Sequence, residues 1–335
     1  MLSINGFTLK IFAGLLATAT FAFATQVSAQ TTKLTPVRLA QNLSPISGVA
    51  IVAKQRNIFE KHGLDVTVSN FTTGRQALET VMAKGADIST VAEAPVTAGA
   101  MAKQPMAFLA RINYSDIKSL TDASDKIMKP ADLKGKRIGF AAGTGSEVYT
   151  MTLLRMGGLT PADVTLVSLR PQDMAPALAN NSIDIMNVWE PHIANARKAL
   201  GAKVRELDSK GVYAETFNIV TTQEFLGKNP AATQSFLRAL IEALNWIKAN
   251  PEPAITVIAE AVGLKCEDFA PLWGDYNYDV VLDERVFAVL RSHAQWRLDT
   301  KNTPPGASMP DFTTVVFPEP LRTVAPERVR LPAAK

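Results

Sequence analysis

The sequence has few of the residues that most catalytic and metal sites need. Its 335 residues include one cysteine and three histidines. Cys266 has no partner for an internal disulfide and no base near it in the sequence, so we expect a buried or half-buried structural cysteine. His62, His192 and His293 lie far apart without metal-ligand spacing, and no local motif indicates a Ser-His-Asp arrangement. We therefore expect no metal site, no catalytic residues and no enzyme.

The chain also has only a small excess of positive over negative charge, and it has few long apolar segments. The chain carries 35 Lys and Arg against 31 Asp and Glu, a net charge of +4, and its basic residues form no stripe. This balance argues against a nucleic-acid partner. Beyond residue 29, no apolar run is long enough to cross a membrane. Hydrophobic content of 47% and charged content of 20% are typical of a globular protein, and the length allows two domains.

Two common nucleotide-binding motifs are missing as well. Gly143-x-Gly145 lacks the third glycine of a dinucleotide fingerprint, because Val148 occupies that position. No phosphate-binding loop of the Walker type occurs. We expect no cofactor.

The first 29 residues predict a signal peptide. Lys10 precedes an apolar run from Ile11 to Phe23, which is too short for a stable transmembrane span. Val27-Ser28-Ala29 then offers the small residues that a signal peptidase prefers. No cysteine stands at the end of this segment, so no lipid anchor is evident. We predict a soluble, exported protein.

One pattern of seven residues occurs twice in the chain. The copies are Asp87-Ile88-x-x-Val91-x-Glu93 and Asp184-Ile185-x-x-Val188-x-Glu190. Short strands that open with Asp and a hydrophobic residue are common, so this match alone does not decide between chance and duplication. Upstream of both copies, however, a helix-like stretch ends in Gly-Leu, and a β-branched run and a second helix follow. These parallels favour one α/β unit built twice, hence two lobes that face each other.

The order of predicted strands and helices gives the domain organisation. Strand–helix–strand alternation predicts parallel sheets with helices on their faces. From residue 223 the chain turns helical, over 231–249, 252–262 and 283–300, and we expect these helices to pack on the first lobe. The predicted lobes are 30–112 with 218–335, and 113–217, linked by two chain crossings.

Ligands of open parallel sheets bind beyond the carboxyl ends of the strands, and this rule selects five segments. They are 42–45, 71–75, 93–95, 144–146 and 189–192. Three of them open helices with small or hydroxyl residues, whose free N–H groups and helix dipole suit an oxyanion. The alternative is that these small and hydroxyl residues are ordinary helix caps, which favour the same residue types.

The larger side chains of these segments have alternative roles. Trp189 would cover a ligand or complete a core. Arg75 would bind a carboxylate or sulfonate, or face solvent. Glu93 and Glu190 would bind an ammonium group, act as acid and base, or hold hinge residues.

Several of these motifs together resemble a known family. They are Gly85-Ala86-Asp87-Ile88 leading to Glu93-Ala94-Pro95, Asp132-Leu133-Lys134-Gly135-Lys136-Arg137-Ile138, Gly143-Thr144-x-Ser146 and Trp189-Glu190-Pro191. The chain resembles, over about residues 37–264, the periplasmic solute-binding proteins of ABC importers. The similar branch handles sulfonates, taurine and nitrate and includes pyrimidine-binding relatives. Val96 stands where the sulfonate pattern often has a second proline.

The resemblance implies an α/β, type II periplasmic-binding-protein fold, with two parallel-rich sheet lobes that close on a ligand in the cleft between them. It implies a monomer in the periplasm that binds a small organic anion or zwitterion and delivers it to an importer permease and its ATPase. The alternatives are a protein that binds a pyrimidine or thiamine precursor, and an enzyme of cofactor-precursor synthesis on the same fold. The residues implied to line the cleft are Ser44, Pro45, Phe71, Gly74, Arg75, Glu93, Ala94, Pro95, Thr144, Gly145, Ser146, Trp189, Glu190 and Asn218.

Overall fold

The computed structural model describes residues 33–209 and 211–331, and the predicted signal peptide, residues 1–29, lies outside them. Their strands are β1 (Thr35–Asn42), β2 (Leu64–Phe71), β3 (Ile88–Ala92), β4 (Met106–Asp116), β5 (Lys118–Asp122), β6 (Arg137–Phe140), β7 (Thr165–Ser168), β8 (Ile185–Val188), β9 (Val204–Leu207), β10 (Ala214–Thr222), β11 (Leu282–Asp283) and β12 (Val329–Arg330).

The helices of the same residues are α1 (Gly48–Gln55), α2 (Ile58–Lys61), α3 (Gly74–Met82), α4 (Glu93–Met101), α5 (Gly145–Met156), α6 (Pro171–Ala179), α7 (His192–Leu200), α8 (Gln223–Lys228), α9 (Pro230–Ala249), α10 (Pro251–Val262), α11 (Cys266–Phe269), α12 (Glu284–Asp299) and α13 (Glu319–Val324). Short 3-10 helices cover Pro45–Ser47, Pro130–Leu133, Pro161–Asp163, Gly201–Lys203, Ala270–Asp275, Phe312–Thr314 and Pro326–Arg328.

Two five-stranded sheets share one topology. The first has the order β2-β1-β3-β10-β4 and the second the order β7-β6-β8-β5-β9. In each sheet three neighbouring strands are parallel, and the last two pairings are antiparallel. The chain passes from β4 to β5 and returns from β9 to β10, which makes two crossings. The predicted two-lobed α/β fold is therefore confirmed, while the exact lobe boundaries stay predictions.

The aspartate of the doubled pattern has the same structural role in both lobes. Asp87 accepts hydrogen bonds from the backbone N–H of Arg38 at 2.8 Å and from its Nη2 at 2.6 Å. Asp184 accepts from the backbone N–H of Arg137 at 2.7 Å and from its Nη2 at 2.5 Å. Each aspartate thus joins the start of β3 or β8 to the neighbouring parallel strand, β1 or β6, which fixes their relative positions.

The Gly-Leu pairs are equivalent as well. Gly63 and Gly158 have φ values of 77° and 68°, in the left-handed region that glycine adopts without steric cost. Each reverses the chain after a helix and leads it back toward the next strand. The doubled sequence features therefore correspond to doubled structure.

The C-terminal helices pack on the first lobe. The rings of Phe59 in α2 and Phe236 in α9 stack at 4.8 Å between centroids, and both residues are buried. Leu240 and Ile258, from α9 and α10, belong to the same hydrophobic core. Within residues 33–209 and 211–331, no helix is both long and apolar enough to cross a membrane.

The expectation of a buried or half-buried Cys266 is wrong. Cys266 is an exposed free cysteine. It occupies the first position of the four-residue helix α11, where the apolar face is carried by the buried Phe269 instead. The stretch is therefore helical, as its alternation indicates, but Cys266 lies on the solvent-exposed side of the helix.

Candidate functional site

A small cavity lies between the carboxyl ends of the strands of the two lobes. Asn42 and Ala92 end β1 and β3, Thr144 follows β6, and Trp189 comes directly after β8. The cavity measures about 20 Å³, which is room for about one or two water molecules. The lining residues are Asn42, Ile46, Thr73, Gly74, Arg75, Ala92, Pro95, Thr144, Trp189, Glu215 and Phe217.

Five of the predicted site residues thus meet at this cavity from different parts of the chain: Gly74, Arg75, Pro95, Thr144 and Trp189. Asn42 and Thr73 lie within the predicted segments. Ile46, Ala92 and Glu215 do not, and sequence reasoning missed them, whereas Phe217 is next to the predicted Asn218. The remaining predicted residues do not line it, namely Ser44, Pro45, Phe71, Glu93, Ala94, Gly145, Ser146, Glu190 and Asn218.

Two helices begin at the cavity with a hydroxyl cap. The Thr73 side chain accepts a hydrogen bond from the N–H of Gln76, at the start of α3. The Thr144 side chain accepts from the N–H of Ser146, at the start of α5. A cap satisfies one N–H group of the first turn and leaves others, at the positive end of the helix dipole, for a ligand. One such helix start comes from each lobe.

Ser146 itself is fully engaged within its own lobe. Its hydroxyl donates to the carbonyl of Asn187 at 2.6 Å and accepts from the N–H of Ala141 at 2.9 Å. By contrast, the buried Ser44 hydroxyl and the Oδ1 atom of Asn218 have no partner among the described residues. Ser44 and Asn218 therefore have unused hydrogen-bonding capacity among the described residues, although neither lines the cavity.

Arg75 spans the mouth of the cleft. Its Nε atom donates to Glu79 Oε1 at 2.8 Å, and its Nη1 atom reaches the carbonyl of Ala142 in the other lobe at 3.5 Å. A pocket of about 410 Å³ adjoins the cavity, and Arg75 and Pro95 line both. Arg75 is therefore a half-exposed cation at the edge of the cavity.

Glu93 is a buried carboxylate at the hinge. Its Oε2 atom accepts from the N–H of Thr216 at 2.7 Å and from the Thr216 hydroxyl at 2.9 Å, and its Oε1 atom accepts from the Tyr213 hydroxyl. His293 stacks on the Tyr213 ring at 5.5 Å and places its Nε2 atom 3.8 Å from Glu93 Oε1. Glu93 therefore binds the second crossing segment to the first lobe.

Glu190 is buried in a separate set of bonds. Its Oε1 atom accepts from Lys118 Nζ at 3.0 Å, and its Oε2 atom accepts from the N–H of Ala194 at 2.9 Å, near the start of α7. Lys118 also donates to Asp275 at 2.8 Å. This chain of contacts joins the second lobe to the segment after α11.

Glu215 is the carboxylate that lines the cavity. It is 3% exposed, and no described residue donates a hydrogen bond to it. Burial and the nearby Glu93 raise the pKa of Glu215 well above its ordinary value. Glu215 lies near the start of β10, three residues before Asn218, the one residue of this strand that the sequence analysis singled out.

No metal centre is indicated by the geometry. Within residues 33–209 and 211–331, no group of three or more His, Cys, Asp or Glu side chains is placed to hold a metal ion. Burial lowers the pKa of His293 to about 3 and that of His192 to about 4, which keeps both rings neutral at ordinary pH. Histidine rings that are neutral and lie in separate parts of the fold fit a packing role better than a charged or metal-binding one.

The buried carboxyl of Glu93 is expected to make the stability of the protein depend on pH. Burial raises the pKa of Glu93 from 4.5 to about 7. The folded chain therefore holds a proton that the unfolded chain releases between these values. The contribution of Glu93 is full below the lower pKa and is lost as the pH rises through the higher one, a loss of about 3 kcal/mol.

Urea unfolding of the wild type and of Glu93→Gln, from about pH 5 to about pH 8, measures this contribution. The two histidines act in the opposite direction below about pH 6.5, and they cancel in the difference between the proteins. We expect the advantage of the wild type to shrink as the pH rises. A difference that is the same at every pH, as expected for the exposed control Glu252→Gln, would contradict the assignment.

The two sheets and the cleft between them define a class: two-lobed α/β proteins of the periplasmic-binding-protein fold. Residues 45–254 match the family model described as NMT1/THI5 like, and the chain belongs to this family. The resemblance stated from the sequence motifs is thereby confirmed.

Individual relatives are distant but cover most of the fold. The chain is 28% identical over 232 residues to a putative aliphatic sulfonates-binding protein of Bacillus subtilis, covering 67% of this chain and 68% of the relative. It is 27% identical over 207 residues to the taurine-binding periplasmic protein of Escherichia coli, covering 61% and 64%. The alkanesulfonate-binding protein SsuA from Xanthomonas axonopodis pv. citri, bound to MOPS, superposes with a TM-score of 0.74 at 18% identity, covering 85% of this chain and 99% of that chain.

Proposed function

We propose that this protein is the solute-binding component of an ABC importer. It acts in the periplasm as a monomer, encloses a small organic anion or zwitterion between its lobes, and delivers it to the permease. The observation that carries this proposal is a cavity at the strand ends of both lobes, at which one capped helix of each lobe begins, in a chain of a family with sulfonate- and taurine-binding relatives. The protein carries out no reaction on the solute.

Different residues at the cavity bind different parts of such a solute. N–H groups at the starts of α3 and α5 hold its oxyanion, with Arg75 as a nearby cation. Trp189, which is 7% exposed, covers the organic part. Ser44 and Asn218 supply further hydrogen bonds through the atoms that are unpartnered among the described residues.

Entry of a solute requires the lobes to separate. About 20 Å³ is too small for a sulfonate with a carbon chain. Two polar contacts between the lobes are long: Arg75 to the Ala142 carbonyl at 3.5 Å, and Asn302 Nδ2 to Glu147 Oε1 at 3.3 Å. The shorter Lys198–Asp268 pair, at 2.6 Å, is exposed on the Lys198 side. Since exposed polar contacts of this kind contribute little free energy, they break readily. The buried bonds of Glu93 persist at the hinge, as hinge closure requires.

A thermal-shift panel on residues 30–335 tests the proposal. The panel contains taurine, ethanesulfonate, nitrate, β-alanine, propionate and an uncharged aminopyrimidine. At a concentration about 100 times Kd, a ligand adds about 2.7 kcal/mol to the stability of the folded state, which raises Tm by roughly 5 °C or more. We expect a shift of this size from at least one anion or zwitterion. A shift from the pyrimidine alone would instead support the pyrimidine-binding alternative and overturn the anion proposal.

A further inference from the structure

The cavity contains a carboxylate to which no group of residues 33–209 and 211–331 donates a hydrogen bond. Glu215 lies on β10 and lines the cavity beside Thr144 and Trp189. It is 3% exposed, and no N–H or O–H group of the described residues bonds to it. A buried carboxylate without a partner is unfavourable by several kcal/mol when charged. Glu215 is therefore stabilised by protonation or by a cation that enters the cavity.

Among the described residues, the neighbours of Glu215 do not donate a hydrogen bond to it. Glu93 is itself a carboxylate, and its two oxygens already accept from Tyr213 and Thr216. Arg75 is bonded to Glu79 and to the Ala142 carbonyl. On the remaining side stands a glycine, since a Cβ atom on Gly145 would lie 2.6 Å from Glu215 Oε2. The carboxylate thus lies directly against the start of α5 and faces the cavity.

We infer that Glu215 determines the specificity of the site by binding a protonated amine on the solute. This inference rests on the proposed function. The ammonium group pairs with Glu215, while the oxyanion of the same molecule lies at the N–H groups of α3 and α5. The substrate class is then an amino-sulfonate or amino-carboxylate zwitterion, and simple alkanesulfonates and nitrate are poor ligands. The raised pKa of Glu215 in the empty site is consistent with this role, because a bound ammonium would restore the charged form.

Matched ligand pairs test the inference directly. Taurine and ethanesulfonate, like β-alanine and propionate, differ only in the amine. In calorimetric titrations of residues 30–335, we expect the amine-bearing member of at least one pair to bind about tenfold tighter or more. In Glu215→Gln, which keeps the shape and removes the charge, we expect this ratio to fall to about threefold or less. The exposed control Glu252→Gln should keep the wild-type ratio.

The outcomes separate this inference from the proposed function. Equal affinity for both members of each pair, or an unchanged ratio in Glu215→Gln, overturns the role of Glu215 while solute binding stands. No binding by any of the four compounds overturns the zwitterion assignment, while the proposed function is then decided by the other compounds of the thermal-shift panel.

A second measurement uses only the wild-type protein, so it does not depend on whether a variant folds. The raised pKa of Glu215 favours its protonated form before a ligand binds, and pairing with an ammonium requires that this proton leave. Titration of the wild type with taurine and β-alanine, in two buffers of different ionisation enthalpy, should therefore show net proton release on binding. Tight binding with no proton release overturns the ion pair.

Discussion

Replacing Glu93 by alanine is expected to lower the free energy of unfolding by about 3 kcal/mol at about pH 5, whereas replacing it by glutamine is expected to cost about 1 kcal/mol or less. Alanine removes the acceptor of the Thr216 N–H, the Thr216 hydroxyl and the Tyr213 hydroxyl in the interior, where water cannot replace it. Glutamine keeps the shape and an acceptor oxygen, and it is neutral, like the protonated carboxyl of Glu93 at this pH. Urea unfolding of the three proteins measures both values.

The matched control for this prediction is Glu252→Ala. Glu252 is exposed in the first turn of α10, away from the hinge. We expect its replacement to change stability by about 0.5 kcal/mol or less. If Glu93→Ala were as mild as the control, or if the alanine and glutamine variants were equally destabilised, Glu93 would not be the link between α4 and the second crossing segment.

Replacing Trp189 by alanine is expected to weaken binding of the solute about tenfold or more, which corresponds to a loss of at least about 1.4 kcal/mol of binding free energy. The indole is 7% exposed, lines the cavity and packs edge-on against His192 at 6.1 Å. Its removal takes away the apolar surface that would cover the organic part of the solute. Trp189→Phe keeps part of this surface, so we expect a smaller loss.

The binding measurement needs a tryptophan control outside the site. Trp246 lies on α9 with Arg56 over its ring at 4.1 Å, and it lines no part of the cavity. Trp246→Phe should leave the affinity unchanged in calorimetric titration. An affinity that survives Trp189→Ala unaltered would remove Trp189 from the site.

Most of the fold could be predicted from the sequence, because its cause is local. Apolar strands alternate with amphipathic helices, and the Gly-Leu pairs and the doubled aspartates mark equivalent turns and strand starts in both lobes. Strand β5 was missed because Lys118, Ser119, Thr121 and Asp122 give it a polar composition. Ser119 is nevertheless buried, since its hydroxyl meets Tyr149 at 2.7 Å and donates to Asn187 at 2.6 Å. Such partners come from other strands and helices and leave no local signal.

The site was predictable only in part, for the same reason. The rule that ligands bind beyond the carboxyl ends of strands correctly selected the segments that contain Gly74, Arg75, Thr144 and Trp189, which line one cavity. The repeat drew attention to Glu93 and Glu190, but whether a carboxylate is bonded depends on residues far along the chain: Thr216 and Tyr213 for Glu93, and Lys118 for Glu190. Glu215 has no counterpart in the repeat. Only the three-dimensional arrangement distinguishes it as the unpaired carboxylate of the cleft.

The central claim is that one small charged solute binds between the lobes. The most direct test is calorimetric titration of residues 30–335 with taurine, alongside the Trp189→Ala variant. The account predicts saturable binding of about one taurine per chain, weakened about tenfold or more by the substitution. No heat from taurine or from any other anion or zwitterion of the panel, with saturable binding of the uncharged pyrimidine, would contradict it.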